Sequence, residues 1–536
     1  MKKTKFFHPT LIWLLIIFGF YLTLSLVSNT FDGDFGWHLR FGRDAWQGNF
    51  QYLDSYTWGY FGRPWINHEW GGDIFFYALY NLTGYFGLAV FISLALWASF
   101  LAIIKIFYKK FTPISILVAL YCLLSIRFII MLRLSMLSLL FFALLWWSLE
   151  KMPAKKTYYA WPFILWLWSF FHGSWILGFI VINIYLGGNI LYLFWRWLKK
   201  KKSIKPPYWN FVLIKKAIIW QTFSALVIVL NPYGWRMWGE VIGYFSNSFY
   251  KSHINEWLPS YSYPVYWLPL VLSAICACAF YSDYYFNKKS SQITLPRLLL
   301  FIAFFISAMQ YRRNNMYLVM ICLPVLIGAV ERIIADFPIK KTPFLIKIYL
   351  TVTTLIASTY IIFSIQPTIR YSFDVWNDRR LIAQWGFPVG AVEYLRTELN
   401  GRRDVRIFNH YAWGGYLNWT LPEALAYMDG RSAATWTTAE GNSLLAKYFD
   451  LVLKENQLSW LEQNQTQYIL LNKNMSDYPS PRWSDKLLFN GEDLDRLMKP
   501  EPYQLEKDIR QSANWELVYT DVISNLWRIK SAGTKK

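Results

Sequence analysis

The sequence predicts an all-α membrane domain of about eleven transmembrane helices followed by a small soluble α/β domain, and three observations predict it. The 536-residue chain is 55% hydrophobic and only 16% charged, a pairing that soluble globular chains rarely show. Its apolar residues come in runs long enough for spanning helices. From residue 367 the composition turns to that of a soluble domain, with 21 basic and 21 acidic residues. The expected division is therefore a membrane domain over 1–366, with a first outer loop at 30–73, and an extracytoplasmic α/β domain over 367–536.

The first apolar run, about 10–28, follows Met1-Lys2-Lys3-Thr4-Lys5. It has the length of a span and lacks a good small-residue cleavage site, so a retained helix with a cytoplasmic N-terminus is expected. Further spans fall near 85–107, 112–127, 133–149, 158–171 and 174–197. Five more fall near 216–231, 265–281, 297–310, 316–332 and 343–366. Fifteen residues rise only about 22 Å, short of ~30 Å of hydrocarbon. The short helices flanking Arg127–Arg133 and His172 are thus expected to end in a wet cavity. In the tail, Phe387–Leu399 reads as a helix opened by Pro388, and Gly415–Leu421 as a short helix. Val405–Phe408, Ala424–Met428, Tyr468–Asn472 and a pair within Trp515–Ile529 read as strands, an alternation expected of a small α/β domain.

The net charge of +21 invites a nucleic-acid reading, but the tail is neutral and the excess lies beside the spans. With the N-terminus inside, 24 basic residues, 21 of them lysine, fall on expected cytoplasmic segments, and nine on outer segments of the membrane domain. That bias is a topology signal, and it excludes a basic nucleic-acid face. Eight of the nine outer residues are arginine, whose planar donor fork suits phosphate and carboxylate. The four cysteines lie in apolar runs and read as small buried hydrophobes.

Reactive side chains concentrate in the first loop, which opens Asp32-Gly33-Asp34-Phe35-Gly36-Trp37-His38. Carboxylates flanking a glycine can converge on one cation or one hydroxyl, and a helix starting after Asp34 would stack His38 one turn above it. The structural alternative makes Asp34 the helix cap and Asp32 a turn former. Further on, His68-Glu69 lacks the second histidine that a zinc protease needs, since position 72 is glycine. Glu69 and Asp73, four residues apart, can face one cavity. Other expected outer ends supply Arg127, Arg133, His172, Glu256, Arg312, Arg313 and Asn314. Charged groups at membrane depth cost roughly 2.5–3.5 kcal/mol each and normally line a polar cavity; for His172, a core histidine bound to backbone is the alternative.

The stretch 32–70 resembles the first outer loop of a group of prokaryotic membrane proteins placed with the GT-C glycosyltransferase superfamily. The resemblance continues at Phe170-Phe171-His172-Gly173, at Asn231-Pro232-Tyr233-Gly234 with Glu256-Trp257, and at Arg313-Asn314. It extends to Tyr411-Ala412-Trp413-Gly414-Gly415-Tyr416 and Asp429-Gly430-Arg431. It implies a multi-span helical domain with an outer soluble domain, and transfer of a sugar from a polyprenyl-phosphate donor to a glycan, lipid or protein acceptor. Asp32 or Asp34 would be the catalytic base, or would hold a divalent cation such as Mg²⁺ or Mn²⁺. Substrate contacts would come from His38, His68, Glu69, Arg127, Arg133, His172, Glu256, Arg312, Arg313 and Asn314. The rival readings are a transporter or flippase of lipid-linked or anionic substrates, and a non-catalytic assembly protein. A carrier needs access from both sides, and the sequence has no paired inverted repeats or matching broken helices.

Overall fold

The computed structural model describes residues 9–28, 32–200, 208–246, 248–262, 266–286, 294–336, 386–431, 435–473 and 503–530. They form two compact units that interleave along the chain. One contains 1–30, 83–241 and 252–376; the other contains 31–82, 242–251 and 377–536.

The first unit is helical. Its members are α1 (Pro9–Ser28), the part of α3 (Trp70–Phe107) beyond Thr83, α4 (Pro113–Ser125), α5 (Leu137–Lys151), α6 (Trp161–Phe171) and α7 (Ile176–Leu198). They continue as α8 (Phe211–Val227), α9 (Trp267–Phe286), α10 (Leu295–Gln310) and α11 (Asn315–Asp336). Every span expected from the sequence falls on one of these helices except 343–366, which lies outside the described residues. Length separates them. Among the described residues, five helices are long and apolar enough to cross a membrane, the first of them α1 and the second α3. Others are short: α6 has 11 residues and α4 has 13, a rise of about 16–20 Å. The expected number of eleven spans is therefore not confirmed.

Two local features show how the sequence sets this packing. Gly84 takes φ 65°, ψ −165° inside α3, a conformation open to glycine, and breaks that helix just before the run expected to span. Gly19 of α1 lies against Trp97, whose ring would be 2.2 Å from an added Cβ, while the Trp97 indole donates to the Ile16 carbonyl at 3.0 Å. A residue without a side chain lets these helices approach closely.

The second unit is built on a five-stranded mixed sheet of β1 (Val405–Asn409), β2 (Ala424–Ala426), β3 (Tyr468–Asn472), β4 (Trp515–Thr520) and β5 (Ser524–Ile529), in the order β2-β1-β3-β5-β4. β1 runs parallel to β2 and β3, and β5 antiparallel to β3 and β4. Val405 and Ile407 point to a core shared with the helices at Val389–Leu399 and Gly414–Thr420. Phe408 points the other way and stacks on Tyr448 of the helix Leu444–Leu453 at 5.7 Å. The connections leaving β1 and β2 thus cover opposite faces, so the carboxyl ends of these strands form a topological switch point, where open α/β sheets bind ligands.

The first-loop segment folds into this unit. Trp58 and Gly59 donate backbone N–H groups to the Ala426 and Tyr427 carbonyls at 2.9 and 3.1 Å, and Thr57 pairs parallel with Ala426. The loop covers the β2 edge, which would otherwise present unpaired backbone groups. Its helix α2 (Phe35–Trp46) packs on the helix Gly414–Thr420 through glycines. A Cβ on Gly36 would lie 2.0 Å from the Gly415 carbonyl oxygen, and one on Gly415 would lie 2.2 Å from that of Gly33.

Candidate functional site

The motifs at 32–38, 411–416 and 429–431 are far apart in sequence and meet at the switch point. Asp32 shapes the turn before α2 by accepting the Asp34 backbone N–H at 3.2 Å. Asp34 sits at the N-cap position of α2, but its side chain makes no capping bond. Instead its carboxylate lies against Gly430, where an added Cβ would be 1.7 Å from Oδ1. The structural alternative holds for Asp32 and not for Asp34.

One turn into α2, the buried His38 imidazole is bracketed by acids. Its Nδ1 is 2.6 Å from Asp73 Oδ1 and its Nε2 is 3.4 Å from Glu69 Oε2. Glu69 and Asp73 converge because the Asp73 N–H bonds to the Glu69 carbonyl at 2.9 Å, starting α3 with both acids on one face. Asn67 fixes both: its Nδ2 donates to Asp73 Oδ2 at 2.6 Å, and its Oδ1 accepts the Glu69 N–H at 2.9 Å. Burial by itself would lower the His38 pKa, but Asp73, Glu69 and Asp34 outweigh it and raise it from 6.5 to about 8. His68 lies 3.6 Å from the other Glu69 oxygen and packs edge-on against Tyr244.

A second buried charge cluster adjoins this loop. Arg431 donates through Nε and Nη2 to the Asp429 carboxylate at 2.6–3.0 Å, and its Nη2 lies 3.0 Å from Asp54 Oδ1. Burial works against the guanidinium, but Asp429 and Asp54 raise its pKa, so it stays charged. Its plane is enclosed by Trp65 at 4.3 Å, Tyr56 at 4.8 Å and Trp436 at 4.9 Å. Its Nη1 is buried with no hydrogen-bond partner among the described residues. Asp54 also accepts from Thr57 Oγ1 at 2.6 Å, and burial holds its carboxyl above the usual carboxylate range despite Arg431.

The buried charges of this unit do not cancel. Among the described buried residues, Asp54, Glu69, Asp73 and Asp429 stand against Arg40 and Arg431, an excess of two negative charges with His38 neutral and of one with His38 protonated. Among the described residues, the group that could hold a metal ion is His38, Glu69 and Asp73, whose ligand atoms lie within 4.8 Å of one another. Asp32 and Asp34, the expected ligands, are not part of it. Imidazole nitrogen with carboxylate oxygens suits a borderline divalent ion, and such an ion would balance the excess.

The remaining expected site residues lie in the helical unit. Arg133 donates through Nη1 to Glu256 Oε1 at 2.7 Å, and Arg313 Nη1 is 3.6 Å from Glu256 Oε2. Burial would raise the Glu256 pKa, but Arg133, Arg313 and Arg312 reverse that and lower it. Arg312 lies over Tyr266 at 4.8 Å and Arg313 over Trp257 at 5.0 Å. Arg127 donates to the Leu124 carbonyl at 3.3 Å, completing the end of α4. His172 accepts the Ser174 N–H at 3.1 Å and caps the short turn Gly173–Trp175. Asn314 donates to Ser307 Oγ at 2.7 Å. Sequence reasoning left Asp54, Asn67, Asp429 and Arg431 out of the site. For Asp429 and Arg431 the signal was their place in the resemblance; for Asn67, only its position beside His68.

No family model matches the chain, and no curated protein matches it in sequence. Solved structures do. A crystal structure of an Archaeoglobus fulgidus oligosaccharyltransferase tethered with an acceptor peptide containing the NVT sequon matches with a TM-score of 0.54 at 11% identity. The apo form matches at 0.52 and 9%, and the archaeal oligosaccharyltransferase AglB of the same organism, in complex with an inhibitory peptide and a dolichol-phosphate, at 0.53 and 8%. Each match covers 88% of this chain and 70% of that one. The chain therefore has a GT-C-like fold.

Proposed function

We propose that the chain is a membrane glycosyltransferase that moves a sugar from a polyprenyl-phosphate-linked donor to a hydroxyl or other nucleophile on a glycan, lipid or protein acceptor, on the outer face of the membrane. The observation that carries this reading is the buried His38–Glu69–Asp73 cluster, whose His38 lies on the helix that Asp34 opens, in a chain whose fold is GT-C-like. The dolichol-phosphate complex of the archaeal enzyme supports the donor class. Glycosyl transfer needs a base at the acceptor and positive charge at the leaving phosphate.

In this reading Asp34, assisted by Asp32, accepts the acceptor proton as the acceptor oxygen bonds to the sugar's anomeric carbon. The bond from that carbon to the phosphate oxygen breaks, and the polyprenyl phosphate leaves with the electron pair. Arg133 and Arg313, held by Glu256, with Arg312 and Arg127, are the helical unit's candidates for binding the donor's phosphate. His38, Glu69 and Asp73 would hold a divalent cation such as Mg²⁺ or Mn²⁺, which supplies Lewis-acid polarisation when bound. His68 of the sheet-containing unit and Asn314 of the helical unit are substrate contacts in this reading, and His172 caps a turn of the helical unit. The N-terminus is cytoplasmic in this reading and the sheet-containing unit extracytoplasmic.

The test is the paired variant Asp32→Asn with Asp34→Asn, assayed for membrane insertion and for surface glycan. Normal insertion with loss of glycan is expected. Unaltered glycan in the paired variant would overturn the assignment and return the chain to the carrier or assembly readings.

A further inference from the structure

A cavity of about 740 Å³ opens in the sheet-containing unit, lined by none of the residues assigned above. Three aromatic rings from three separate segments form its wall. Trp58 comes from the first loop and is fixed by an indole bond to the Ile407 carbonyl at 3.1 Å. Tyr427 follows β2, and Trp460 lies on the helix Leu458–Gln463. Trp58 and Trp460 are stacked at 27° with centroids 6.0 Å apart, and Tyr427 is 4.6 Å from Trp58. The Tyr427 hydroxyl is buried with no hydrogen-bond partner among the described residues.

The lining charges nearly balance: Arg63, Arg406 and Lys447 against Glu440 and Asp450. The cations are also engaged by the protein itself. Arg63 donates to the Thr437 carbonyl at 2.7 Å, Arg406 to that of Asn464 at 2.7 Å, and Lys447 lies over the Trp460 ring at 4.6 Å. Such a site does not clamp a phosphate, whose recognition uses converging free guanidiniums. Its volume is that of a small-molecule pocket. Aromatic planes with a polar, near-neutral rim suit a ligand with one apolar C–H face and many hydroxyls.

We propose that this cavity is a carbohydrate-binding subsite that holds the non-reacting sugars of a short oligosaccharide. The choice of glycan as ligand rests on the transferase reading, but the binding does not require catalysis.

The experiment is saturation-transfer NMR on the full chain in lipid nanodiscs with chitobiose, mannobiose and maltose as probes, and with an uncharged peptide as control. At least one disaccharide should receive saturation on its ring C–H protons. Trp460→Ala should weaken it about tenfold or more, equivalent to ~1.4 kcal/mol, and Trp460→Phe should keep most of it. Ala439→Trp, which fills the cavity from an exposed lining position, tests the same point without removing a packed ring. No transfer to any of the three disaccharides, transfer that survives both Trp460→Ala and Ala439→Trp, or transfer to the peptide alone would overturn the proposal. Binding retained in the Asp32→Asn/Asp34→Asn chain, whatever its glycan phenotype, separates this outcome from the fate of the catalytic reading.

Discussion

Replacing Arg431 with methionine keeps an apolar stem among the rings and removes the charge that Asp429 and Asp54 share. Both carboxylates are fully buried, and Asp54 loses the one guanidinium beside it among the described residues. Removing one partner of a buried pair costs about 3–5 kcal/mol. Since ~1.4 kcal/mol is a factor of ten, the segments 52–66 and 424–431 should exchange their amide hydrogens about a hundred to a few thousand times faster. The assay is hydrogen-exchange mass spectrometry on the full chain, corrected for intrinsic rates. The pH dependence gives the sign. Asp54 is already held above the carboxylate range by burial, and without Arg431 its native pKa rises further. A carboxyl that binds more protons folded than unfolded contributes stability that falls as pH rises, so the defect should be larger at pH 8 than at pH 5. Asp429→Asn in the same chain should recover part of the loss. Exchange within a few-fold of the parent at pH 8, or a defect that ignores both pH and Asp429→Asn, would refute the reasoning.

Other outcomes follow from the same geometry. Adding Mn²⁺ should raise the thermal midpoint of the parent, read by tryptophan fluorescence, and His38→Ala or Asp73→Asn should abolish that rise; equal response in all three chains would remove the metal from His38–Glu69–Asp73. Gly430→Ala puts a Cβ 1.7 Å from Asp34 Oδ1, and overpacking of this kind costs about 1–3 kcal/mol, so surface glycan should fall while membrane insertion persists. Burial lowers the His410 pKa from 6.5 to about 4. A histidine kept neutral by folding loses stability as pH falls from 6.5 toward 4, and His410→Gln should flatten the melting curve's pH dependence in that window.

What could be read from the residues divides along physical lines. The strands Val405–Asn409 and Tyr468–Asn472 and the helix opened by Pro388 are local events, set by alternation and by a proline, and they stand where the pattern put them. Spans such as 174–197 were legible for the same reason. The pairing of Glu69 with Asp73 was also visible, because helical spacing alone brings them together. The third member, His38, was legible as Asp34's neighbour, yet its bond to Asp73 depends on how α2 crosses the start of α3. The glycines at 36, 415 and 430 gave no sign of their purpose, since each is explained by a backbone that arrives from another part of the chain. Helix length set the other limit: α4 and α6 are as apolar as the long helices but too short to be counted as spans on length.

The interleaving of the two units has a consequence for how the protein is made. Residues 31–82 belong to the same compact unit as 377–536, so the ribosome delivers the loop well before the strands that complete it. At ~5–20 residues per second, that delay is on the order of half a minute. Through that interval Trp58 has no Ile407 carbonyl to hold, and Asp54 is without its guanidinium. A message cut short before β1 would therefore leave the early segment permanently unfinished, a substrate for quality-control proteases and not a partly working protein.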